Sequence, residues 1–139
     1  MDVHSRSRTM ILRAIFVFSL AILFAGLAFA QNGGKAEPQR IRFASGRFET
    51  TLSGRLSNGQ EMEFIFGAKK GQSVTVKNAG SALFDFRVFS ENADFETEFE
   101  SSPTLTFSIP ETGDYNLFVR KKMVRSPRSA RFSISLSIK

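Results

Sequence analysis

Cysteine and tryptophan are absent from this 139-residue sequence, and histidine and tyrosine each occur once. The histidine, His4, lies near the start, so the chain beyond residue 30 has neither imidazole nor thiol. Zinc and copper sites draw mainly on these two groups, and serine or cysteine nucleophiles use histidine as their base. Glycine-rich nucleotide-binding motifs are missing as well. The composition therefore predicts no transition-metal site, no cofactor and no catalytic triad.

Carboxylates are the remaining catalytic groups, and "ADFETEFE" (residues 93–100) has the best constellation of them. On a β-strand its alternate acids would share one face, with neighbours roughly 6.5 Å apart, as in a glycosidase pair; they are Asp94, Glu96, Glu98 and Glu100. The alternative is a solvated strand face that points Phe95 and Phe99 inward and protects an edge. Weak calcium binding by these acids stays open, although the sequence has no D-x-D-x-D-G loop to fix the ligands. We favour the structural interpretation and do not predict an enzyme.

The first thirty residues have the layout of a secretory signal peptide. Three arginines precede an uncharged apolar run (residues 14–30), which ends in the small-residue site Ala28-Phe29-Ala30. An uncleaved membrane anchor is the alternative, although the run is slightly short for a span. Cleavage after Ala30 would leave a periplasmic or secreted protein with a flexible leader (residues 31–38) and one domain (residues 39–139). We expect a monomer or a weak dimer.

Beyond the leader, apolar residues recur with a period of two, which is typical of half-buried strands. The clearest runs are "MEFIF", "FDFRVF", "YNLFV" and "RFSISLSI", and Asn58-Gly59 between two runs is a hairpin signal. We predict an all-β fold: an antiparallel two-sheet β-sandwich of jelly-roll type with about eight strands. Most of the twelve phenylalanines beyond residue 30 are predicted to fill its core.

Lys69-Lys70-Gly71-Gln72 joins two of these runs. Glycine supplies the positive φ of a tight corner, and no helix follows that could support an anion site. We therefore predict a corner that binds nothing.

Three segments carry a family resemblance. They are "FIFGAKKGQSVTVKN", "FSIPETGDYNLFV" and the terminal "RFSISLSIK". Together they resemble the bacterial pre-peptidase C-terminal-like β-sandwich, and the arrangement behind a signal peptide is most similar to the periplasmic inhibitors of goose-type lysozyme. The resemblance implies a protein that plugs a lysozyme cleft with arginines of the loop before the last strand and a tyrosine of an early loop. Here the early loop, "LSNGQE", has no tyrosine.

That late loop lies in "RKKMVRSPRSAR" (residues 120–131), which holds six basic residues and no acid. Arginine can meet a carboxylate with two parallel hydrogen bonds, so Arg125 and Arg128 are our candidates for entering a cleft. Lys121 and Lys122 would steer the approach to an acidic rim. A solvated hairpin loop is the alternative.

Three functions remain open at this stage. The first is lysozyme inhibition, and the second is binding of an anionic envelope surface, such as lipid headgroups or acidic glycan. The third is a glycosidase that uses Glu96 and Glu98. Nucleic acid is not an expected partner, because the predicted location is extracytoplasmic and the sequence shows no surface aromatic platform on which bases could stack.

Overall fold

Alternating apolar and polar residues form nine β-strands in the computed structural model, which describes residues 37–139. The strands are β1 (Gln39–Arg40), β2 (Glu49–Ser57), β3 (Glu61–Ala68), β4 (Ser73–Asn78), β5 (Phe84–Ser90), β6 (Phe95–Glu96), β7 (Thr104–Ser108), β8 (Gly113–Lys121) and β9 (Ser129–Ile138). Nothing in this range is helical, and so it offers no helix able to cross a membrane. The predicted signal peptide and residues 31–36 of the leader lie outside the described residues.

The strands form two sheets, as the sequence predicted. The five-stranded sheet has the order β1-β3-β8-β5-β6, and the four-stranded sheet has the order β2-β9-β4-β7. All neighbours are antiparallel except β1 and β3. The pairs β2–β9, β3–β8, β4–β7 and β5–β6 are nested one inside the next, as in a long hairpin wrapped around itself. This nesting is the jelly-roll arrangement.

The core lies between the sheets and is built from the inward residues of each strand. Burying these side chains is the main favourable term in folding, at about 1.5–3 kcal/mol for each large one. Five phenylalanines are buried in it, and Tyr115 stacks on Phe66 at a centroid distance of 5.7 Å. The buried phenylalanines are Phe64, Phe66, Phe84, Phe86 and Phe132. At Gly54 an added Cβ would lie 2.8 Å from Cε1 of Phe132, so this inward position has room only for glycine.

Four phenylalanines do not follow the core prediction. Phe48 is 56% exposed. Phe89 and Phe118 are half-buried on the outer face of the five-stranded sheet, because the inward positions of their strands belong to the alternate residues. Phe99 packs on that outer face as well, beneath outward-facing arginines. The prediction that Phe99 points inward was wrong.

Two local predictions need correction. The Asn58-Gly59 turn does not close a hairpin, because β2 pairs with β9 and β3 pairs with β8. It is instead the corner where the chain passes from one sheet to the other. The acidic segment is a strand only at Phe95–Glu96, where Phe95 does face the core and stacks on Phe107 at 5.2 Å. The four acids therefore do not form one continuous strand face.

Candidate functional site: the loop between β8 and β9

The β8–β9 loop (residues 122–128) crosses from the five-stranded sheet to the four-stranded sheet and projects from one end of the sandwich. Arg125 and Arg128 are exposed, and they flank Ser126-Pro127, whose peptide bond is cis. Met123 is 77% exposed. Neither arginine forms an ion pair with any residue in 37–139, so both guanidinium groups are available to a partner.

The loop is held by the β2–β3 corner (residues 58–60). The backbone N–H of Asn58 donates to the carbonyl of Arg128 at 2.8 Å, and its side-chain Nδ2 donates to the carbonyl of Val124 at 2.6 Å. Gly59 N–H donates to the carbonyl of Lys121 at 2.9 Å, and φ of Gly59 is +76°, a conformation that favours glycine. These bonds fix both ends and the middle of the loop.

Lys121 is fully buried, which differs from the exposed position expected of a steering charge. Its ammonium group donates to Oδ1 of Asn58 at 3.0 Å and to the carbonyl of Lys122 at 3.1 Å. Both partners are neutral amide oxygens. The alternation of Tyr115, Leu117 and Val119 continues into Lys121, so the period of the strand carried a signal for its burial. We conclude that Lys121 holds the β2–β3 corner and the start of the loop together.

Lys122 is half-buried, and its ammonium group donates to the carbonyl of Ser81 at 2.6 Å. Its backbone N–H donates to the carbonyl of Leu83 at 2.9 Å. The second lysine thus ties the base of the loop to the β4–β5 connection. Of the four residues predicted to bind a partner, Arg125 and Arg128 project from the loop, and the two lysines anchor it.

Two shallow open grooves lie on either side of Met123. One, of about 440 Å³, is lined by Asn58, Met123, Val124, Arg125 and Arg128. The other, of about 410 Å³, is lined by Gly59, Glu61, Asp85, Arg120, Lys121, Lys122 and Met123. The projecting loop with a groove at each flank has a shape suited to a macromolecular surface rather than to an enclosed small ligand.

Arg120 opens the basic segment, but its charge is used within the molecule. It forms a two-pronged ion pair with Asp85, with Nε to Oδ1 at 3.0 Å and Nη2 to Oδ2 at 2.7 Å. The guanidinium also lies over the ring of Phe99, 3.6 Å from its centroid. Hydrogen bonding to Asp85 raises the pKa of Arg120 above its ordinary value. Arg120 is therefore a structural cation that fastens the 97–100 segment to the sheet.

Two carboxylates of the acidic segment have partners within the molecule. Glu96 forms an ion pair with Arg87 at 2.8 Å. Glu100 accepts from the hydroxyl of Ser102 at 2.6 Å and from its N–H at 2.9 Å, and these hydrogen bonds, the hydroxyl first, lower the pKa of Glu100. Across residues 37–139, no group of three or more potential metal ligands comes together.

The β3–β4 corner (residues 69–72) lies at the opposite end of the sandwich, as the strand registers show. Gln72 N–H donates to the carbonyl of Lys69 at 3.0 Å, and Gly71 has a φ of +85°. The prediction of a glycine corner is confirmed. Lys70 is paired with Glu111 at 3.0 Å, across an exposed surface.

No family model and no curated protein matches this chain, but solved structures do. The PliG protein of Aeromonas hydrophila, a periplasmic inhibitor of g-type lysozyme, superposes with a TM-score of 0.60 at 25% identity, over 73% of this chain and 96% of that one. Salmonella Typhimurium PliG gives 0.62 at 20% identity, over 76% and 100%.

The pre-peptidase C-terminal domain of a Bacillus anthracis collagenase gives a TM-score of 0.50 at 18% identity, over 78% of this chain and 100% of that domain. Similarity at this level of identity establishes a shared architecture, while function depends on the particular site. Both parts of the resemblance are thus confirmed in the fold: this chain has the β-sandwich of the PliG inhibitors and of a pre-peptidase C-terminal domain.

Proposed function

We propose that this protein is an exported, non-catalytic inhibitor that inserts its β8–β9 loop into the cleft of a g-type lysozyme. The observation that carries the proposal is that Arg125 and Arg128, on a loop fixed by the Asn58 side chain, form no ion pair within residues 37–139. The similarity in fold to periplasmic inhibitors of g-type lysozyme supports this function and a periplasmic location.

The chemistry of the partner suits this loop. A glycosidase cleft presents carboxylates that hydrolyse the sugar bond, and a guanidinium can bind a carboxylate through two parallel hydrogen bonds. Such a pair is strongest where water is excluded, as it would be when a loop fills the groove. A loop that is already ordered loses little conformational entropy on binding, which favours affinity.

The test is inhibition of cell-wall lysis by g-type, chicken-type and invertebrate-type lysozymes, with the exported protein and four single variants. We expect inhibition of the g-type enzyme, and a loss of about 2–5 kcal/mol in binding free energy for Arg125→Ala or Arg128→Ala, seen chiefly as faster dissociation. Lys69→Ala and Lys70→Ala are the matched controls, since they remove a cation from the far end of the sandwich. They should cost under about 1 kcal/mol.

Two outcomes would overturn the proposal. Equal losses at both ends of the molecule would indicate diffuse attachment to an anionic surface. A wild-type protein that inhibits none of the three lysozymes would favour the alternative, an envelope-binding module.

A further inference from the structure

Two arginines lie directly opposite each other on the outer face of the four-stranded sheet. In the antiparallel register of β2 and β9, Arg55 is the partner of Arg131, and both side chains are exposed. The rows on either side consist of serines, Ser53 with Ser133 and Ser57 with Ser129. The arginine pair thus lies between two pairs of serines on the same face of the sheet.

This pairing works against the stability of the sheet. Facing Cβ atoms in antiparallel strands are about 4.5–5.5 Å apart, and like charges at that position repel. Neither arginine has an ion pair or hydrogen bond from its side chain to any other residue in 37–139. By contrast, Arg87 and Arg120 of the five-stranded sheet are each paired with a carboxylate. The two arginines therefore make no contact, within the described part of the chain, that stabilises the fold. Residues that lower stability in this way are typical of binding sites.

The position of the pair connects it to the β8–β9 loop. Arg131 follows Arg128 by three residues at the start of β9, and Arg55 lies three residues before Asn58, which anchors the loop. The exposed cationic surface thus continues from the tip of the loop onto the sheet. Arginines that face each other across two strands can reach one carboxylate with both guanidinium groups, and binding such an anion would relieve their repulsion.

We propose that Arg55 and Arg131 form a second contact that binds carboxylates on the rim of the partner's cleft while the loop enters it. The proposal rests on the function proposed above and names a further part of the same interface. The two contacts differ in kinetics. The loop arginines become desolvated and govern dissociation, whereas the sheet arginines stay near solvent and govern association and its salt dependence.

The experiment compares two double variants. The first carries Arg55→Ser and Arg131→Ser, and the matched control carries Arg42→Ser and Arg47→Ser. Serine is the residue of the neighbouring rows, so the first variant extends an existing pattern. The control removes the same charge from two exposed arginines that precede β2. The nearer one, Arg47, lies eight residues before Arg55, roughly 25 Å of extended chain. Full-length exported protein is measured by thermal unfolding and by binding kinetics to immobilised g-type lysozyme at about 0.05 M and about 0.3 M salt.

We expect the Arg55/Arg131 variant to unfold at a temperature equal to or above that of the wild type. Its association rate at low salt should fall about tenfold, with dissociation changed less than about twofold and a shallower salt dependence. The control should keep the association rate within about threefold of wild type.

Several results would overturn this proposal. If both variants slow association with lysozyme equally, the effect is one of net charge. If the Arg55/Arg131 variant unfolds at a lower temperature and associates at the wild-type rate, the two arginines have a structural role. Binding of the wild type to phosphatidylglycerol vesicles but not to lysozyme, with loss in the variant, would assign the pair to an anionic lipid surface. A wild type that inhibits lysozyme while the Arg55/Arg131 variant associates normally refutes this inference alone; a wild type that does not bind lysozyme refutes the proposed function as well.

Discussion

The ammonium group of Lys121 lies 3.0 Å from the side-chain oxygen of Asn58, and this contact joins residues 63 positions apart. The same Asn58 side chain donates to the carbonyl of Val124 in the middle of the β8–β9 loop. One amide thus connects a buried cation to the backbone of the candidate binding loop. The order of that loop depends on a residue that itself contacts no partner in our proposal.

Replacing Asn58 with alanine should weaken both stability and inhibition. A buried ammonium that loses a partner costs about 1–3 kcal/mol, and the loop loses its central anchor, so dissociation from lysozyme should accelerate. The control is Ser90→Ala, which removes a buried hydrogen bond to the carbonyl of Asp114 at the other end of the sandwich. Urea unfolding and inhibition assays on both variants decide the matter. If Asn58→Ala inhibits as well as Ser90→Ala does, the loop needs no anchor.

Arg120→Met should destabilise the fold by about 2–3 kcal/mol. The change leaves the carboxylate of Asp85, whose side chain is 9% exposed, without its charge partner. Lys70→Met breaks the exposed Lys70–Glu111 pair and should cost under about 1 kcal/mol. Equilibrium unfolding in urea measures both. Similar midpoints for the two variants would show that the Asp85 pair behaves as a surface pair.

Ser102→Ala should raise the pKa of Glu100 towards its ordinary value. The folded protein holds this pKa below that value, so the hydrogen bonds stabilise the fold above the unfolded-state pKa and lose their effect as pH falls through the folded pKa. NMR titration of the Glu100 carboxyl gives the pKa directly, and acid unfolding should begin at a higher pH in the variant. An unchanged titration curve would contradict the role of the Ser102 hydroxyl.

Gly54→Ala should be strongly destabilising. Its Cβ would lie 2.8 Å from the ring of Phe132 and 3.0 Å from Cε of Met62, so a packed core layer must move. Gly113→Ala is the control, because an added Cβ there meets nothing within 4 Å and φ is not positive. The midpoint of thermal unfolding should be lower for Gly54→Ala than for Gly113→Ala. In a domain of this size, each kcal/mol of difference in stability lowers the midpoint by about 4–8 °C. Equal midpoints would mean that the core layer adapts freely.

We expect export with removal of the first thirty residues. Ala28 and Ala30 fit the signal-peptidase site, and the chain after them is polar. Mass spectrometry of the protein from a periplasmic extract should show an N-terminus at Gln31. Recovery of a membrane-bound product that still begins at Met1 would identify an anchor instead.

The period of two predicted which residues face the core, because burial alternates wherever one face of a strand is covered. The same period continues to Lys121, which we predicted as a steering charge and which the structure buries in line with Leu117 and Val119. The pattern could not predict which sheet each strand joins. Asn58-Gly59 has the same turn chemistry in a hairpin and in a corner between sheets, and the choice depends on distant partners.

The candidate site was predictable in part from local charge. A local excess of arginine without acids marks a surface loop, and Arg125 and Arg128 are exposed there. The anchoring role of Asn58 and the pairing of Arg120 with Asp85 depend on contacts between residues far apart in sequence. No local pattern encodes such contacts. Apart from Lys121, whose burial follows the period of β8, the cations of the basic segment could not be sorted into projecting and anchoring residues without them.

The nested strand pairing has a consequence for how the loop acquires its shape. The anchors of the β8–β9 loop lie in the β2–β3 corner, up to 70 residues earlier (Asn58 to Arg128), so they form only after a long stretch of chain has closed. Folds dominated by such distant contacts have high contact order and fold slowly. A synthetic peptide of residues 120–131 would carry all six cations yet lack Asn58, and it would be an ensemble of conformers. The inhibition proposed for the β8–β9 loop would therefore report complete folding. A chain that lacks β2 and the β2–β3 corner, or that is arrested before β2 and β9 pair, would keep the six cations and lose the ordered loop.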